Sequence, residues 1–431
     1  MRAFVIRCPI HGSIKLDKLE VDILSHKFCQ RLRYVSQLGF AHYVYPSANH
    51  NRLSHSLGVL HLAGKLYNHL AYEATLCLNK FIPLAKLTYY RKILRLAALL
   101  HDIGHLPFSH TLEDSSPSYK EVREISRLIP YKTNPDKIIM HEDISAILIM
   151  QLSQEGYFSK VEALDIISLI KGDFSVAKSS ELKDPHFNVY PLLSAMINSD
   201  LDVDRMDYLL RDSYHSGVSY GRFDMHQLMR CYEILGDQKG GKFSLALHVG
   251  GFLAFEDMLL GRRLMFIQVY FHKTLLNFSK ILQSARQAKE IKLSIWDNID
   301  SYLENTDWSL FALIQKNRNK FWCGKIYSRE APKVLSRVIN KDDNKATNQI
   351  KEIRDKLDKA KIIHLKGDVG VKFFDYKGLD KDSIKLISYD LEDKQASDLV
   401  NHLNHHPDKL EISQVSVFKE DYQKALKIIK G

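Results

Sequence analysis

The spacing of apolar residues over the first two thirds of the chain predicts helices. From Val21 to Val35 the apolar positions recur every three or four residues, and Gly39 follows as a stop. The same spacing runs from Ile93 to Leu100 and predicts a buried helix that ends there. Residues 1 to about 290 are therefore expected to be predominantly helical. Two later segments repeat the pattern before a glycine: Ile144 to Leu148 before Gly156, and Leu164 to Ile170 before Gly172.

Strands are predicted in two places. The alternating segment from Lys242 to Val249 lies between two glycine pairs and is typical of a strand. Beyond about residue 330 the pattern changes to short segments that are rich in β-branched or aromatic residues, which indicates a small α/β lobe. We therefore expect a mostly α fold with a core of residues 1–290, a helical connection at 291–330 and a C-terminal lobe at 331–431. The strand segments expected in the lobe are Lys361 to Leu365, Gly370 to Tyr376 and Ile384 to Tyr389.

The balance of charges favours anionic partners. The 431 residues include 61 Lys and Arg against 51 Asp and Glu, which gives a net charge of +10. A basic surface can attract nucleotides or nucleic acid, and the total charge alone does not separate these two. Much of the charge lies between Lys333 and Lys361, where both signs alternate, and this stretch is interpreted as a solvated helix face.

Composition and cysteine usage narrow the class of protein. No apolar run approaches the roughly 20 residues that are needed to span a bilayer. Arg2 and Arg7 lie in the short apolar stretch at the N-terminus, which argues against a secretion signal. The cysteines are odd in number and form no C-x-x-C pair, so a reduced, cytoplasmic compartment is expected. Their five positions are Cys8, Cys29, Cys77, Cys231 and Cys323.

Histidines and aspartates occur together in three segments beside apolar stretches. The string from His101 to His110 holds an adjacent His-Asp pair and two more histidines, and His55 opens another apolar helix. A lone histidine beside such a helix is more often a core residue than a metal ligand. Here, however, three aspartates follow between Asp202 and Asp207, and carboxylates are costly to bury without a cation or partners. The candidate ligands of one divalent metal ion, which could be Mg, Mn, Fe, Ni or Zn, are His55, His101, Asp102 and Asp204.

Several longer motifs extend this pattern over about two thirds of the chain. In order they are Pro9-Ile10-His11-Gly12, Gln30-Arg31-Leu32-Arg33-Tyr34, Gln37-Leu38-Gly39, His55, the string from His101 to His110, Tyr270 and His272-Lys273. On these motifs the chain resembles the deoxynucleoside triphosphate (dNTP) triphosphohydrolase branch of the HD-domain phosphohydrolase superfamily. The resemblance implies an HD-domain helical bundle as the core of the fold. It also implies metal-dependent hydrolysis of dNTPs to deoxynucleoside and inorganic triphosphate, by a homodimer or homotetramer.

The resemblance further implies roles for residues around the metal. His105, His110 and His141 match positions that line the catalytic pocket, where an imidazole can donate a proton to the leaving 5′-oxygen or position water. Glu113, close after His110, is a candidate to orient one imidazole. A pocket without room for a 2′-hydroxyl prefers dNTPs to NTPs. The implied substrate contacts are Arg52, Arg205 and Arg262 for the phosphates, Gln37, Tyr208 and Asp212 for the 3′-hydroxyl, and Leu38 and Tyr270 beside the 2′ position.

Some positions depart from the family pattern. Arg205 replaces a lysine that is common in the family. Phe266 and Phe271 stand where relatives carry polar residues near the base, so aromatic walls that favour stacking are expected there. Phe4 and Ser25 stand at positions that read a guanine activator in some relatives, which argues against guanine-specific activation.

Two other functions remain open from the sequence. The first is phosphohydrolysis of another nucleotide, such as a guanine alarmone or a ribonucleotide, although the deoxyribose-pocket residues argue against it. The second is nucleic-acid binding, with or without nuclease activity, which the basic charge would favour. The sequence contains no RNP-like, zinc-finger or other nucleic-acid motif. The dNTP triphosphohydrolase is therefore the expected function.

Overall fold

Helices form most of the chain in the computed structural model, so the expected mostly α class is confirmed. The structure describes residues 4–113, 116–177, 180–184, 186–236, 241–293, 295–339, 344–372, 385–387 and 409–430. The α-helices up to residue 330 are α1 (Lys18–Ser25), α2 (Lys27–Arg31), α3 (Arg52–Tyr72), α4 (Leu84–Leu100), α5 (Arg123–Ser126), α6 (His141–Gln154), α7 (Lys160–Lys171), α8 (Tyr190–Ile197), α9 (Val203–Ser216), α10 (Met225–Arg230), α11 (Phe252–Met265), α12 (Lys273–Gln287), α13 (Ile299–Glu304), α14 (Asp307–Lys316) and α15 (Phe321–Tyr327).

The two longest helices of the core, α3 and α4, pack against each other. Helix α3 begins at Arg52 because Asn51 caps it, with the Asn51 side chain accepting a hydrogen bond from Ser54 N at 3.1 Å. Every residue from Ile93 to Leu100 is buried or half-buried at the end of α4, and most are fully buried, as expected for a central helix. Both helices therefore deliver the residues at their ends, His55 and His101, to the interior of the protein.

Several predicted helix boundaries are confirmed. Helix α4 ends at Leu100, and α7 ends at Lys171, directly before Gly172, which takes the left-handed conformation (φ +63°) that favours glycine. The prediction of one helix from Val21 to Val35 is wrong. Helix α1 ends at an extended residue, His26, whose side chain accepts a hydrogen bond from Phe28 N and so begins α2. The apolar face continues across this bend, and the spacing alone therefore does not reveal it.

Short strands cover part of the helical core. A hairpin of β1 (Phe4–Cys8) and β2 (Gly12–Leu16) precedes α1, in a region expected to be helical. The predicted strand at 242–249 is confirmed as β4 (Phe243–His248), which pairs antiparallel with β3 (Tyr232–Gly236). A strand from the C-terminal region, β8 (Lys385–Ile387), joins β4 in parallel.

The small α/β lobe is also confirmed. Its sheet is built around β9, the longest strand, which pairs antiparallel with three shorter strands. Strands β6 and β7 overlap two of the predicted segments, of which residues 373–376 are outside the described residues. The third predicted segment, 384–389, contains β8, which pairs with the core instead, and its residues 384, 388 and 389 are not described. The lobe comprises β5 (Lys333–Ile339), α16 (Asn344–Lys359), β6 (His364–Lys366), β7 (Val369–Lys372), β9 (Lys409–Val417) and α17 (Tyr422–Lys430).

The mixed-charge stretch before residue 361 is partly β5 and partly helix α16. Ile350, Ile353 and Leu357 of α16 are buried in a small cluster against Val415 and Val417 of β9. The charged residues of α16 therefore cover the outside of the lobe while one apolar face holds it together.

Helices α13 to α15, in the expected connection at 291–330, pack into the main core. Tyr302, Leu310, Ile314 and Cys323 belong to the same buried cluster as α3 and α4. The division of the chain into domains at 290 and 330 stays a prediction. All five cysteines are buried and free of disulfides, and among the described helices none has the length and apolarity to cross a membrane.

Gly104, in the turn after α4, allows that turn to pack closely against helix α6. A Cβ at Gly104 would lie 2.2 Å from the backbone oxygen of His141 and 2.4 Å from Ser145 N. We expect Gly104→Ala to lower the free energy of unfolding by about 1–3 kcal/mol, since the backbone of α6 must move. Thermal melting followed by circular dichroism measures this change. Gly370→Ala is the control, because its nearest atom lies at an ordinary 3.5 Å; equal melting temperatures for both variants would contradict the expectation.

Candidate metal centre and active site

Three helices bring histidines and carboxylates to one place in the core. His55 lies in the first turn of α3, His101 and Asp102 follow α4, and Asp204 lies in the first turn of α9. His55 Nε2 is 2.8 Å from Asp204 Oδ1, and His101 Nε2 is 3.7 Å from the same oxygen. Asp102 Oδ1 is 3.4 Å from His101 Nε2. The structure thus brings together all four residues that the sequence proposed as ligands.

The two imidazoles have the orientation that a metal ion requires. His101 Nδ1 donates to the carbonyl of Ala98 at 2.9 Å, so its Nε2 carries the free lone pair. That Nε2 atom is buried and has no hydrogen-bond partner among the described residues. One ligand atom each from His55, His101 and Asp204 lies within 4.8 Å of the other two. Nitrogen and carboxylate donors at this spacing fit a divalent cation.

The surroundings of His55 show that this place favours positive charge. Burial lowers the pKa of His55, but hydrogen bonds with Asp204 and Asp207 outweigh burial and raise the pKa to about 10. Without a metal, His55 is therefore protonated at neutral pH and shares its Nε2 proton with Asp204. A divalent cation would displace this proton, because a ligand imidazole must be neutral.

Asp102 is kept ionised by an arginine. Arg52 Nη1 lies 2.5 Å from Asp102 Oδ2, and Arg52 Nε donates to Ser109 Oγ at 2.8 Å. Burial works against the charge of Asp102, yet Arg52 and the nearby imidazoles of His101 and His55 hold its pKa well below the usual range. Arg52 is itself only 4% exposed. It therefore orients the carboxylate of Asp102, and its contact with phosphate stays a prediction.

Asp207 binds Nδ1 of His55, a role that was not predicted from the sequence. Its carboxylate is fully buried and accepts from His55 Nδ1 at 2.8 Å and from His11 Nε2 at 2.6 Å. Arg211, one turn further along α9, binds both of its oxygens at 2.8 and 2.9 Å. This second carboxylate fixes the tautomer of His55 and directs its Nε2 toward Asp204. The spacing of Asp204, Asp207 and Arg211 along α9 could have indicated this role in the sequence.

A second cluster of ionisable groups lies next to Asp102. The rings of His105 and His141 stack with their centroids 3.8 Å apart. Glu113 accepts from His141 Nδ1 at 2.6 Å and from the more exposed His110. Burial lowers the pKa of His141, but the hydrogen bond with Glu113 and nearby carboxylates outweigh it and raise the pKa to about 8. Burial and the nearby charges of Arg52 and His141 hold the pKa of His105 well below its usual range, so His141 is the charged member of the stacked pair.

The turn that carries His105 and His110 is fixed by α13 and α14. Asp307, at the start of α14, accepts from Phe108 N at 2.7 Å and from Ser36 N at 3.0 Å. Tyr302 donates to the carbonyl of Gly104. Phe108 itself has φ +53°, a left-handed conformation that needs such support in a bulky residue. The turn thus depends on a segment that the sequence analysis regarded as a connection.

A third cluster joins most of the expected substrate contacts. Asp212 accepts from His50 Nε2 at 2.7 Å and from the hydroxyl of Tyr270 at 2.8 Å. Gln37 N donates to the carbonyl of His50 at 3.0 Å. Arg262 Nε donates to the hydroxyl of Tyr208 at 3.2 Å. We call these residues the Asp212 cluster: Gln37, His50, Tyr208, Asp212, Arg262 and Tyr270.

Two further expected contacts bind other residues of the protein. Arg205 pairs with Asp200, and Leu38 packs against the main core. Phe266 and Phe271, expected to line the base, pack with β7 and β9 of the lobe. Their contact with a base stays a prediction.

Comparison with known proteins finds a family match over the part of the chain that carries the proposed metal ligands. The HD domain family matches residues 52–212, which include the whole proposed ligand set. An uncharacterized protein of Methanocaldococcus jannaschii is 32% identical over 295 residues, which cover 68% of this chain and 52% of that protein. The chain belongs to the HD-domain phosphohydrolase superfamily.

Further relatives of this HD-domain chain are more distant or longer. The deoxynucleoside triphosphate triphosphohydrolase SAMHD1 of Bos taurus is 32% identical over 245 residues, or 52% of this chain and 38% of that protein. The chain spans about half the length of the first curated relatives that it matches. A hypothetical protein from Aquifex aeolicus has the same fold, with a TM-score of 0.72 at 23% identity over 99% of this chain and 100% of that one. A phosphohydrolase from Bacteroides thetaiotaomicron aligns with a TM-score of 0.70 at 22% identity, over 97% of this chain and 100% of that one.

The carboxylate behind His55 offers a test of the metal centre in this HD domain. In Asp207→Asn, an amide N–H would face His11, His55 or Arg211, all of which donate to the carboxylate now. We expect the affinity for Mn²⁺ to fall about 10–100-fold, as for other residues that orient a metal-bound histidine. Isothermal titration of the metal-free protein measures it.

The matched control is Asp212→Asn, a buried aspartate on the same helix that contacts His50 and Tyr270. It should bind Mn²⁺ like the wild type. If both variants lost affinity equally while melting at the wild-type temperature, Asp207 would have no particular role in orienting His55.

Proposed function

We propose that this chain is a metal-dependent dNTP triphosphohydrolase that releases deoxynucleoside and inorganic triphosphate. The observation that supports it most is on α9, where Asp204, Tyr208 and Asp212 follow at intervals of four residues and so lie on one face. One helix thereby joins the proposed metal centre to the Asp212 cluster. The similarity to SAMHD1 proteins, whose name states this activity, agrees with the proposal.

The proposed metal ligands are His55, His101, Asp102 and Asp204, and the fit of their donor atoms supports one divalent ion, which could be Mg, Mn, Fe, Ni or Zn. When bound, such an ion supplies Lewis acidity toward a phosphate oxygen and toward water. Asp207 and Arg52 keep His55 and Asp102 in place. The protein therefore contributes a rigid donor set whose geometry does not depend on the substrate.

His141 is the proposed general acid. It is protonated near neutral pH because Glu113 accepts from its Nδ1. Its Nε2, which lies 3.8 Å from Glu142 Oε1, would face the substrate. It would donate a proton to the 5′-oxygen as the bond from that oxygen to the α-phosphate breaks. His105, kept neutral beside it, would accept a hydrogen bond from water, and the exposed His110 would lie at the entrance.

The Asp212 cluster is the proposed sugar site. Gln37 Oε1 is buried without a hydrogen-bond partner among the described residues, so it can accept from a 3′-hydroxyl. The second lone pairs of the Asp212 carboxylate can do the same. The ring of Tyr270, held against Asp212, and the side chain of Leu38 would leave no partner for a 2′-hydroxyl.

Arginines of the same region would bind the triphosphate. Arg52, Arg205 and Arg262 are the proposed phosphate contacts, of which Arg262 lies beside Tyr208 in the Asp212 cluster. The net charge of +10 would draw a polyanionic substrate toward them. Assembly into a homodimer or homotetramer, which the resemblance implies, also stays a prediction.

A product analysis tests the function directly. Protein loaded with each metal in turn is incubated with every dNTP and rNTP, singly and mixed, and the products are separated by ion-exchange chromatography. We expect the products to be deoxynucleoside and intact triphosphate. In Asp204→Ala we expect the hydrolysis rate to fall on the order of 1000-fold, because an essential group is removed. Orthophosphate or diphosphate products, or consumption of rNTPs alone, would contradict the proposal.

The protonation state of His141 gives a pH test. A pKa raised to about 8 keeps His141 protonated below that pH, so activity that needs this proton falls as the pH rises through about 8. In Glu113→Gln the hydrogen bond to a charged acceptor is lost while burial remains, so the alkaline limb of kcat/KM should move to lower pH. Any metal ion acts on both proteins, and the difference between their profiles is the readout. An unchanged alkaline limb would exclude His141 as the acid.

A further inference from the structure

The C-terminal lobe packs against the segment of the core that carries Tyr270. Residues Phe266–Tyr270 form a π-helical turn between α11 and α12, which we call the π turn. Such turns are rare; they occur mostly as single turns inside α-helices and frequently lie at functional sites. Tyr270, the last residue of the π turn, donates to Asp212. The position of this hydroxyl therefore depends on what holds the π turn in place.

Apolar residues of the lobe cover one side of the π turn. Leu410 and Ile412 of β9 are buried and pack with Phe266, Ile267 and Phe271. Val369 and Val371 of β7 belong to the same cluster. The ring of Phe266 also lies 4.8 Å from that of Tyr270, centroid to centroid. The lobe thus reaches the Asp212 cluster through a single intervening ring.

Polar residues of the lobe bind the backbone on either side of this contact. Gln414 of β9 is fully buried and donates from Nε2 to the carbonyl of Lys273 at 3.0 Å and to Asn277 Oδ1 at 2.9 Å. Arg337 of β5 donates to the carbonyl of Phe271 at 2.8 Å. These bonds fix residues 271–277, directly after the π turn. On its opposite side, the hydroxyl of Tyr45 donates to the carbonyl of Gln268 at 2.8 Å.

We propose that Gln414 and Arg337 are positioning residues for nucleotide selection, since they hold the π turn so that Tyr270 stays against Asp212. The proposal rests on the proposed function for the identity of the substrate. The lobe would then determine how well the enzyme distinguishes a deoxyribose from a ribose, although it lies outside the matched HD domain. The proposed metal ligands sit on α3, α9 and the end of α4, so their affinity for metal should not depend on the lobe.

Gln414→Glu is a nearly isosteric test of this contact. It replaces the donating amide by a carboxylate oxygen that would face two acceptors, Lys273 O and Asn277 Oδ1. Asn277 cannot compensate by turning its amide over, because its Nδ2 donates to the carbonyl of Pro332 at 3.1 Å. Gln315→Glu, the same change on the exposed surface of α14, is the matched control.

Two measurements decide the outcome. Hydrogen exchange of peptides covering residues 266–277 should become faster in Gln414→Glu than in the wild type and the control. The KM for dNTPs should rise and the ratio of kcat/KM for dNTPs to that for rNTPs should fall about tenfold, as expected when a discriminating contact loosens. The metal content and kcat at saturating dNTP should stay close to those of the wild type.

Unchanged exchange and unchanged discrimination in a folded Gln414→Glu protein would overturn the proposal. If that variant does not fold, Arg337→Gln, which removes the donor to Phe271 O at the edge of the sheet, is measured in the same way. If the wild type hydrolyses no nucleotide, the proposed function fails, and the exchange measurement alone decides whether the lobe holds the π turn. Faster exchange then supports this coupling, and unchanged exchange refutes it.

Discussion

The packing of the core depends on the carboxylates that surround His55. Asp102 and Asp207 are buried, and each would be costly there without a cation bound to it. Arg52 and Arg211 supply these charges, and the imidazole of His55 bridges Asp204 and Asp207. The close approach of α3 to α9 is possible because Gly58 has no side chain, since a Cβ there would lie 1.8 Å from Asp207 Oδ1. The balance of the buried charges and the packing of α3 against α9 therefore depend on each other.

Local sequence patterns correctly predicted several helix ends. The ends of α4 and α7 follow from apolar spacing and a terminal glycine, and the residues beside those ends include His101 and Asp102. The bend at His26 was missed because the buried face continues across it. Asp207 was missed because, in the sequence, it looks like its neighbours Asp202 and Asp204, and only the packing of α3 shows which aspartate faces Nδ1 of His55.

The pairing of strands that lie far apart in the sequence was not predicted. Strand β9 reads as an ordinary alternating segment, yet it is the centre of the lobe, and β8 pairs with β4 across more than a hundred residues. The resemblance placed Phe266 and Phe271 near the base, but it gave no indication that these rings also pack with β7 and β9, because the lobe carries no such motif. An apolar ring indicates an apolar neighbour without identifying it. Motifs thus predicted the centre of the molecule better than its contacts with the lobe.

The bond from Phe108 N to Asp307 also has a consequence for how the protein is made. The two residues are 199 positions apart, so at ordinary rates of translation roughly 10 to 40 s pass between their synthesis. His55, His101 and Asp102 are in the nascent chain before this interval begins, and Asp204 is added about halfway through it. The turn that carries His105 and His110 still lacks the carboxylate that fixes it. The proposed metal ligands are therefore all synthesised before the residue that supports the neighbouring histidines.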